Sequence, residues 1–407
     1  MKTIIFHVDV NSAFLSWNAV WNLQRGADKD IRNIPSIIAG NPENRQGIVL
    51  AKSIACNKYG IKTADTIYEA ESKYPGLEIY SPMYNVYIAS SDAMLNILNT
   101  YSPLVERYSI DECFMDMRDL PRDKSIEIAN KIKNHIYTEL GFTVNIGVST
   151  NKLLAKMASD FKKPNRVHTL FQDEIKVKMW PLSINKLFMV GPSTNKALTN
   201  ININTIGDLA NTDEDFLYKK FNKHGFIISN YARGIDKSIF SKVEKTEMKG
   251  MGHSKTFPKD VYTKDEAYKL LLALSDNLIL KLQNSNKKTR TVSVKIKDMN
   301  RNTVRKQRSL NYETSSSNEI INCILKLFDE LWDGNPIRQM GISFSNLSDS
   351  INYQLSIFDL ENKEYFLDNS VKNIKNIFGD TSIKRASLLN YKEDKIKKDY
   401  FIMSSRL

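Results

Sequence analysis

Residues 108–116 read YSIDECFMD, with Asp111 and Glu112 side by side in a run that otherwise has the pattern of a strand. A further carboxylate, Asp116, follows at the end of the run. Neighbouring strand residues face opposite sides and like charges repel, so such a pair costs stability unless something positive neutralises it. Taken alone, the dipeptide reads as an exposed strand or hairpin pair. The rest of the chain decides whether it is more than that.

The chain has 407 residues, 42% hydrophobic and 26% charged, which suits a folded protein with a sizeable core. At about 100–200 residues per domain, that length allows roughly two to four domains. The net charge of +12 favours a polyanionic partner, nucleic acid or an anionic membrane surface, over a merely soluble basic protein only with further support. No apolar run approaches the roughly 18 residues of a transmembrane helix, so a membrane role is not expected. The opening MKTIIFHVDV meets Asp9 too soon for a signal peptide. Cys56, Cys113 and Cys323 lie far apart and form no CxxC, which argues against a zinc site or a disulfide framework and fits a reducing cytoplasm. His7 lies near Asp9, where a lone strand histidine reads as packed or solvated.

Periodicity predicts a buried strand over 3–10 ending at Asp9, then a helix over 11–26 through Ala13, Phe14, Trp17, Val20 and Trp21. A strand over 46–55 and a turn at Tyr59-Gly60-Ile61 follow. Next come a helix from Ile88 to Leu98, a single strand over 105–117, a helix over Ile126–Leu140, a strand over 142–148 and a helix over 151–161. Pro164 disfavours helix at Lys163. This order implies an α+β domain with a mainly antiparallel sheet, in which neighbouring strands would bring Asp9 and Asp111 together at one edge. Residues 182–236 read as all helical, with Val190-Gly191-Pro192 like the turn of a helix-hairpin-helix. Residues 237–250 read as a linker. Residues 253–346 alternate strand and helix signals with a polar basic segment after 299, forming a second α+β domain. No internal repeat or low-complexity tract stands out.

Asp9, Asp111 and Glu112 are the candidate catalytic carboxylates. Such oxygens suit Mg²⁺, which keeps few protein ligands and completes its shell with water and substrate phosphates. Two such ions would screen the repulsion within the pair and serve an in-line phosphoryl displacement. In chain order stand HVDVNSAF at 7–14, GIVLAKSIACNKYGIKT at 47–63, YSIDECFMD at 108–116 and VNIGVSTNKLLAKMASDFKKPN at 144–165. This series closely resembles the Y-family translesion DNA polymerases of the bacterial DinB (DNA polymerase IV) and UmuC type, from residue 3 to about 346 and partly into the tail.

The resemblance implies a multidomain right hand and an error-prone, template-directed DNA polymerase. The palm would span 1–10 and 80–166, the fingers 11–79, and the thumb with its helix-hairpin-helix 167–237. A linker would follow at 238–247, a DNA-binding little finger at 248–346 and a tail at 347–407. Asp9, Asp111 and Glu112, with the Val10 carbonyl, would hold two Mg²⁺ ions. Ser12, Ala13, Phe14, Lys52, Asn57 and Lys163 would meet the dNTP. Phe14 would be the ring that excludes a 2′-hydroxyl, although its helical spacing also suits core packing. Lys163 would touch the triphosphate, although a lysine before Pro-Asn also suits a solvated turn. Where relatives carry Tyr or Pro, then Ala, then Arg or Lys, this chain has Ile54 at the first position and Asn57 at the basic one. The loss of charge implies weaker nucleotide binding unless Lys52 or Lys58 compensates.

Lys255, Arg290, Lys295, Lys297, Arg301, Arg305 and Arg308 would supply phosphate contacts to primer-template DNA, or else form a solvated basic face. Gln354-Leu355-Ser356-Ile357-Phe358 resembles a peptide for the sliding clamp (β subunit); a strand packed on its own domain is the plainer reading. The protein is expected to be a monomer. A DNA- and clamp-binding homologue with weak turnover, and a nucleotidyl cyclase with a similar sheet, are the other readings. The complete carboxylate set speaks against the first, and the basic second domain against the second.

Overall fold

The computed structural model describes residues 3–41, 47–240, 248–349, 363–379 and 382–388. Two compact units emerge, one over Met1–Gly40 and Ile48–Glu244 and one built on Lys245–Leu407. Among the described residues no helix is long and apolar enough to cross a membrane.

Strand β1 (Ile5–Val10) is buried along its whole length. It is the middle of a five-stranded sheet with β5 (Val105–Arg107), β6 (Glu112–Asp116), β7 (Val144–Ser149) and β8 (Val167–Thr169), in the order β5-β6-β1-β7-β8. All pairings are antiparallel except β7 with β8. Because β8 belongs to this sheet, the layer continues past residue 166, where the palm was expected to end. Helices α3 (Tyr84–Asn99) and α4 (Arg122–Leu140) cover one face, where Phe6, Val8, Val10 and Met115 meet Met94, Leu98, Ile132 and Ile136. Helix α5 (Lys152–Ser159) lies on the other face, where Ala155 packs with Ile5 and Phe114. A strand covered on both faces is apolar throughout rather than alternating, which is the pattern of β1.

A second layer of the same unit holds α1 (Ala13–Leu23), β2 (Ser36–Ala39), β3 (Val49–Lys52), α2 (Ile67–Lys73) and β4 (Glu78–Tyr80). Its strands run in the order β3-β2-β4 around Ile37, Val49, Ile61 and Ile67. A reciprocal Thr66–Glu69 capping box starts α2. The remainder is helical: α6 (Ile175–Lys178), α7 (Pro192–Thr199), α8 (Ile206–Asn211), α9 (Glu214–Phe221) and α10 (Lys223–Ala232). They enclose Leu198, Ile206, Leu209, Leu217 and Ile228. Gly191 caps α7 and Pro192 opens it, as the missing proline N–H costs nothing there.

The second unit is a four-stranded antiparallel sheet of β9 (Gly250–Val261), β10 (Lys287–Asp298), β11 (Thr303–Thr314) and β12 (Ile337–Asp349), in the order β11-β10-β12-β9. Helices α11 (Lys264–Asn284) and α12 (Ser317–Leu331) cover one face, with Val292, Val294, Ile342 and Phe344 against Leu271, Leu278, Ile324 and Phe328. Helix α13 (Lys363–Phe378) adds to this side: Lys372 donates to the Gln283 carbonyl at 2.8 Å, and Asp368 accepts from the Ser317 amide at 2.8 Å.

Three expectations are corrected. The single strand over 105–117 is a hairpin, because the Tyr108 and Ser109 amides both donate to the Glu112 carbonyl, at 2.9 and 3.1 Å. Asp111 is therefore in the turn, and Glu112 is the first residue of β6. The strand expected over 46–55 is only β3; a 3-10 turn over Ile54–Tyr59 follows, closed by Gly60 at φ 68°. The polar basic segment after 299 is the edge strand β11, whose charged residues on both sides hide the alternation.

Candidate active site

The β1–β6 register sets Asp9 directly opposite Glu112. Opposed carboxylates on paired strands repel at about 5 Å, so the fold assembles negative charge here on purpose or must neutralise it. The Val10 amide donates to the Asp111 carbonyl at 3.1 Å, which ties the turn residue to the same strand end. Ser109 Oγ donates to Asp111 Oδ1 at 2.6 Å. The three candidate carboxylates thus converge, although only Glu112 lies on a strand beside Asp9. Asp116 does not join them: it sits at the far end of β6, opposite Ile5, with Arg118 at 2.6 Å.

Two lysines answer the charge. Lys156, on α5, ion-pairs with Glu112. Lys163 donates to Asp9 Oδ2 at 2.6 Å and bridges to Asp160 Oδ1 at 2.8 Å. Neutralisation of Asp9 is incomplete. Burial raises its pKa to about 6 against the opposing pull of Lys163, with Glu112 and Asp160 adding to the rise. Burial lowers Lys163, but Asp9 and Asp160 more than offset this and hold it above the usual lysine range. His7 is fully buried, and burial followed by Lys156 and Lys163 keeps its imidazole neutral. Its Nδ1 meets Ser159 Oγ at 2.8 Å, so it packs rather than titrates.

Local sequence explains how α5 brings its lysine in. A Cβ on Gly147 would lie 1.9 Å from the Ala155 carbonyl oxygen, so only glycine lets the helix backbone rest on β7. Asn151 caps α5 through the Leu154 amide at 2.8 Å. The loop that follows is held by Asn145, which donates to the carbonyls of Ser159 and Lys162 at 2.9 and 2.8 Å. Asn11 Oδ1 accepts from the Asn165 amide at 2.9 Å, fixing the far side of Lys163.

The carboxylates open into a cleft of about 530 Å³. Its walls include Ser12, Ala13, Phe14, Lys52, Asn57 and Lys163, so every residue expected at the nucleotide lines one cavity. Ser12, at φ 46°, turns the chain from β1 into α1, whose first amides have no partner within the helix. Phe14 both lines the cleft and stacks on Tyr87 at 4.4 Å with an interplanar angle of 7°, so the packing and lining readings hold together. Lys58 does not line the cleft; its ammonium lies 5.9 Å over the Tyr59 ring. Cys56 is a buried packing residue, 3.4 Å from the Ser36 carbonyl.

In the second unit the expected DNA contacts separate. Lys295 and Lys297 belong to the sheet face opposite the helices, and Arg305, opposite Lys295 in register, donates to Ser293 Oγ at 2.7 Å. That face also carries Gln307 and Gln339 and the small groups Thr291, Ser293, Gly341, Ser343, Gly252 and Ser254. Lys255 does not join it. Its register partner is the buried Met340, which places it on the helix-covered face. Arg290 is exposed at a register shift, and Arg301 is exposed at φ 68° in the β10–β11 turn. Arg308 is engaged by Glu330 at 2.6 Å. The Gln354–Phe358 segment lies outside the described residues.

Sequence reading missed Lys156, Asp160, Asn145 and Gly147. The first two carried a signal: Lys152, Lys156 and Asp160 recur every four residues, one face of a helix.

Among the described residues no three His, Cys, Asp or Glu side chains are close enough to cage a metal by themselves. An oxygen-only set beside an open cleft, with a buried carboxylate short of positive charge and ammoniums drawn in between, nevertheless suits Mg²⁺, which takes one or two carboxylates and fills its shell with water and phosphate. A mainly antiparallel sheet that opens such carboxylates onto a cleft suits an enzyme of metal-assisted phosphoryl transfer.

Residues 8–160 match the impB/mucB/samB family, and residues 248–357 match the C-terminal domain of that family. DNA polymerase IV of Clostridium acetobutylicum is 43% identical over 97% of this chain and 100% of its own. DNA polymerase IV 2 of Bacillus subtilis is 35% identical over 95% of both. A solved Y-family DNA polymerase chimera of Dbh and Dpo4 shares the fold, with a TM-score of 0.72 at 21% identity over 85% of this chain and 99% of that one. The chain belongs to the Y family of DNA polymerases, of the DNA polymerase IV type.

Proposed function

We propose that the chain copies past damaged template bases with low fidelity, by attack of a primer 3′-hydroxyl on the α-phosphorus of a dNTP. The new bond joins primer oxygen to that phosphorus, the bond to the β-phosphate breaks, and pyrophosphate leaves. The observation that carries this reading is the convergence of Asp9, Asp111 and Glu112 on a cleft that also contains Phe14 and Lys163. Asp9, Asp111, Glu112 and the Val10 carbonyl would hold two Mg²⁺ ions, which when bound lower the pKa of the primer hydroxyl and stabilise the leaving oxygen. Lys163, held beside Asp9 and Asp160 in the cleft wall, meets the triphosphate. The first amides of α1, at Ala13 and Phe14, donate to phosphate oxygens. The Phe14 ring, braced by Tyr87, leaves no room for a 2′-hydroxyl.

In this reading the five-stranded sheet is the palm, the β3-β2-β4 layer the fingers and the helices from α6 to α10 the thumb. The open face of the second unit is the little finger's DNA surface, with Lys295, Lys297 and Arg305 as its phosphate contacts. The enzyme is a monomer that Gln354–Phe358 tethers to the sliding clamp. The test is single-nucleotide extension of a primer opposite each template base and opposite an abasic site. Incorporation of the complementary dNTP at each base, with continued synthesis past the lesion, is expected. Addition that ignores the template base would overturn the reading.

A further inference from the structure

Only two cations, Lys52 and Lys163, line the cleft among the described residues. Their surroundings differ. Lys163 is held by two carboxylates, Asp9 and Asp160. Lys52 donates to the Asn57 side-chain oxygen, a neutral partner, and no carboxylate of the described residues pairs with it. Among the described residues its charge is thus the one in the cleft wall that no carboxylate cancels.

The fold holds that charge in place. Lys52 ends β3 opposite Ile37, whose side chain is fully buried. The next residue, Ser53, is tied to β2 at both ends: its amide donates to the Ser36 carbonyl at 2.9 Å, and its hydroxyl accepts from the Ser36 amide at 3.2 Å. Cys56, buried in the same wall, seats the 3-10 turn that returns Asn57 to Lys52. An ammonium has three donors, and Asn57 takes one, leaving two for a ligand in the cleft that Lys52 lines.

We propose that Lys52 is the polyphosphate-gripping residue of this wall and that Asn57 is the positioning residue that orients it. The inference rests on the nucleotidyl-transfer reading for its substrate, the triphosphate of a dNTP, but not for its chemistry, which is recognition of a polyphosphate by an uncancelled cation. Lys163 is shared between Asp9 and Asp160, so Lys52 makes the first contact. Asn57 suits the task because it fixes the ammonium without neutralising it; a carboxylate there would do the first and fail the second.

The test uses inorganic tripolyphosphate as probe, titrated into the full-length protein without DNA, alongside the KM for dNTP in primer extension. Lys52→Gln removes one charge-assisted contact, so tripolyphosphate affinity is expected to fall at least about tenfold and KM to rise more than kcat falls. Asn57→Asp keeps the size of the side chain but pairs with Lys52, and should weaken tripolyphosphate binding by a similar factor. Lys52→Arg should retain most of the affinity. Wild-type affinity in Lys52→Gln, or in Asn57→Asp, overturns the proposal. If Lys52→Gln lowers the melting temperature, Asn57→Asp and Lys52→Arg decide. Absence of extension by the wild type would sink the polymerase reading and leave the tripolyphosphate comparison standing as the test of Lys52.

Discussion

Gly147→Ala is the substitution through which the fold's control of the site can be measured. The added Cβ would sit 1.9 Å from the Ala155 carbonyl oxygen and 2.5 Å from the Ser159 amide nitrogen. Both are backbone atoms of α5, so no side chain can swing aside. Ordinary contact begins near 3.4 Å, and the helix must therefore retreat by about 1.5 Å. Overpacking of this kind costs about 1–3 kcal/mol. At about 2–4 °C per kcal/mol for a unit of this size, the melting temperature should fall by roughly 2–12 °C. The same helix carries Lys156 to Glu112 and Ser159 to His7, and leads into the loop that carries Lys163. Misplacing reacting groups by about 1 Å costs about a hundredfold in rate. Calorimetry should show a folded protein with a lowered transition, and single-turnover primer extension should show a rate about a hundredfold lower. A lowered transition with wild-type turnover would refute the claim that the seating of α5 sets the site; no change in either would refute the packing argument itself.

In metal-free protein, Asp9 binds its proton more tightly folded, at about 6, than unfolded, near 3.8. Its stabilising contribution is thus complete below 3.8 and lost as pH rises through 6, worth roughly 3 kcal/mol at most. With EDTA present, the wild-type melting temperature minus that of Asp9→Asn should fall between pH 5 and 8; a flat difference would contradict the burial argument. Phe14→Ala should reduce discrimination against ribonucleotides by roughly 10–200-fold, read as the ratio of kcat/KM values for dNTP and NTP. Unchanged discrimination would assign Phe14 to packing alone. Lys295→Ala or Lys297→Ala should each lower the slope of log affinity for DNA against log salt by about 1, whereas Arg308→Ala, already engaged by Glu330, should leave it nearly unchanged. The opposite ranking would move the DNA off the open face.

What could be read from the sequence divides by physical cause. β1 was legible because burial on both faces leaves an apolar run, and α4 because Ser125, Ala129, Ile132 and Ile136 mark one helical face. The carboxylate pair stood out as costly charge in a strand-like run, but its own composition left it an exposed pair; only the series of motifs from residue 7 to 165 singled it out as a candidate site. The break between β5 and β6 was not, since Tyr108-Ser109-Ile110 has ordinary strand composition and the turn depends on bonds to a single carbonyl. β11 was hidden because Lys306 and Arg308 face the helix side, where Glu330 balances them, while Arg305 and Gln307 face the other. Gly147 and Asn145 act through contacts with a helix and a loop later in the chain, and nothing local in VNIGV announces that.

The most direct measurement compares the wild type with Asp111→Ala on a primed DNA template with Mg²⁺ and dNTPs, with binding to the same DNA followed in parallel. Asp111 lies in a turn at the cleft and is held by Ser109, so its removal should spare the fold and the second unit's open face. Extension by the wild type, none by the variant and equal DNA affinity for both are expected. Extension by Asp111→Ala would contradict the placement of the chemistry at Asp9, Asp111 and Glu112.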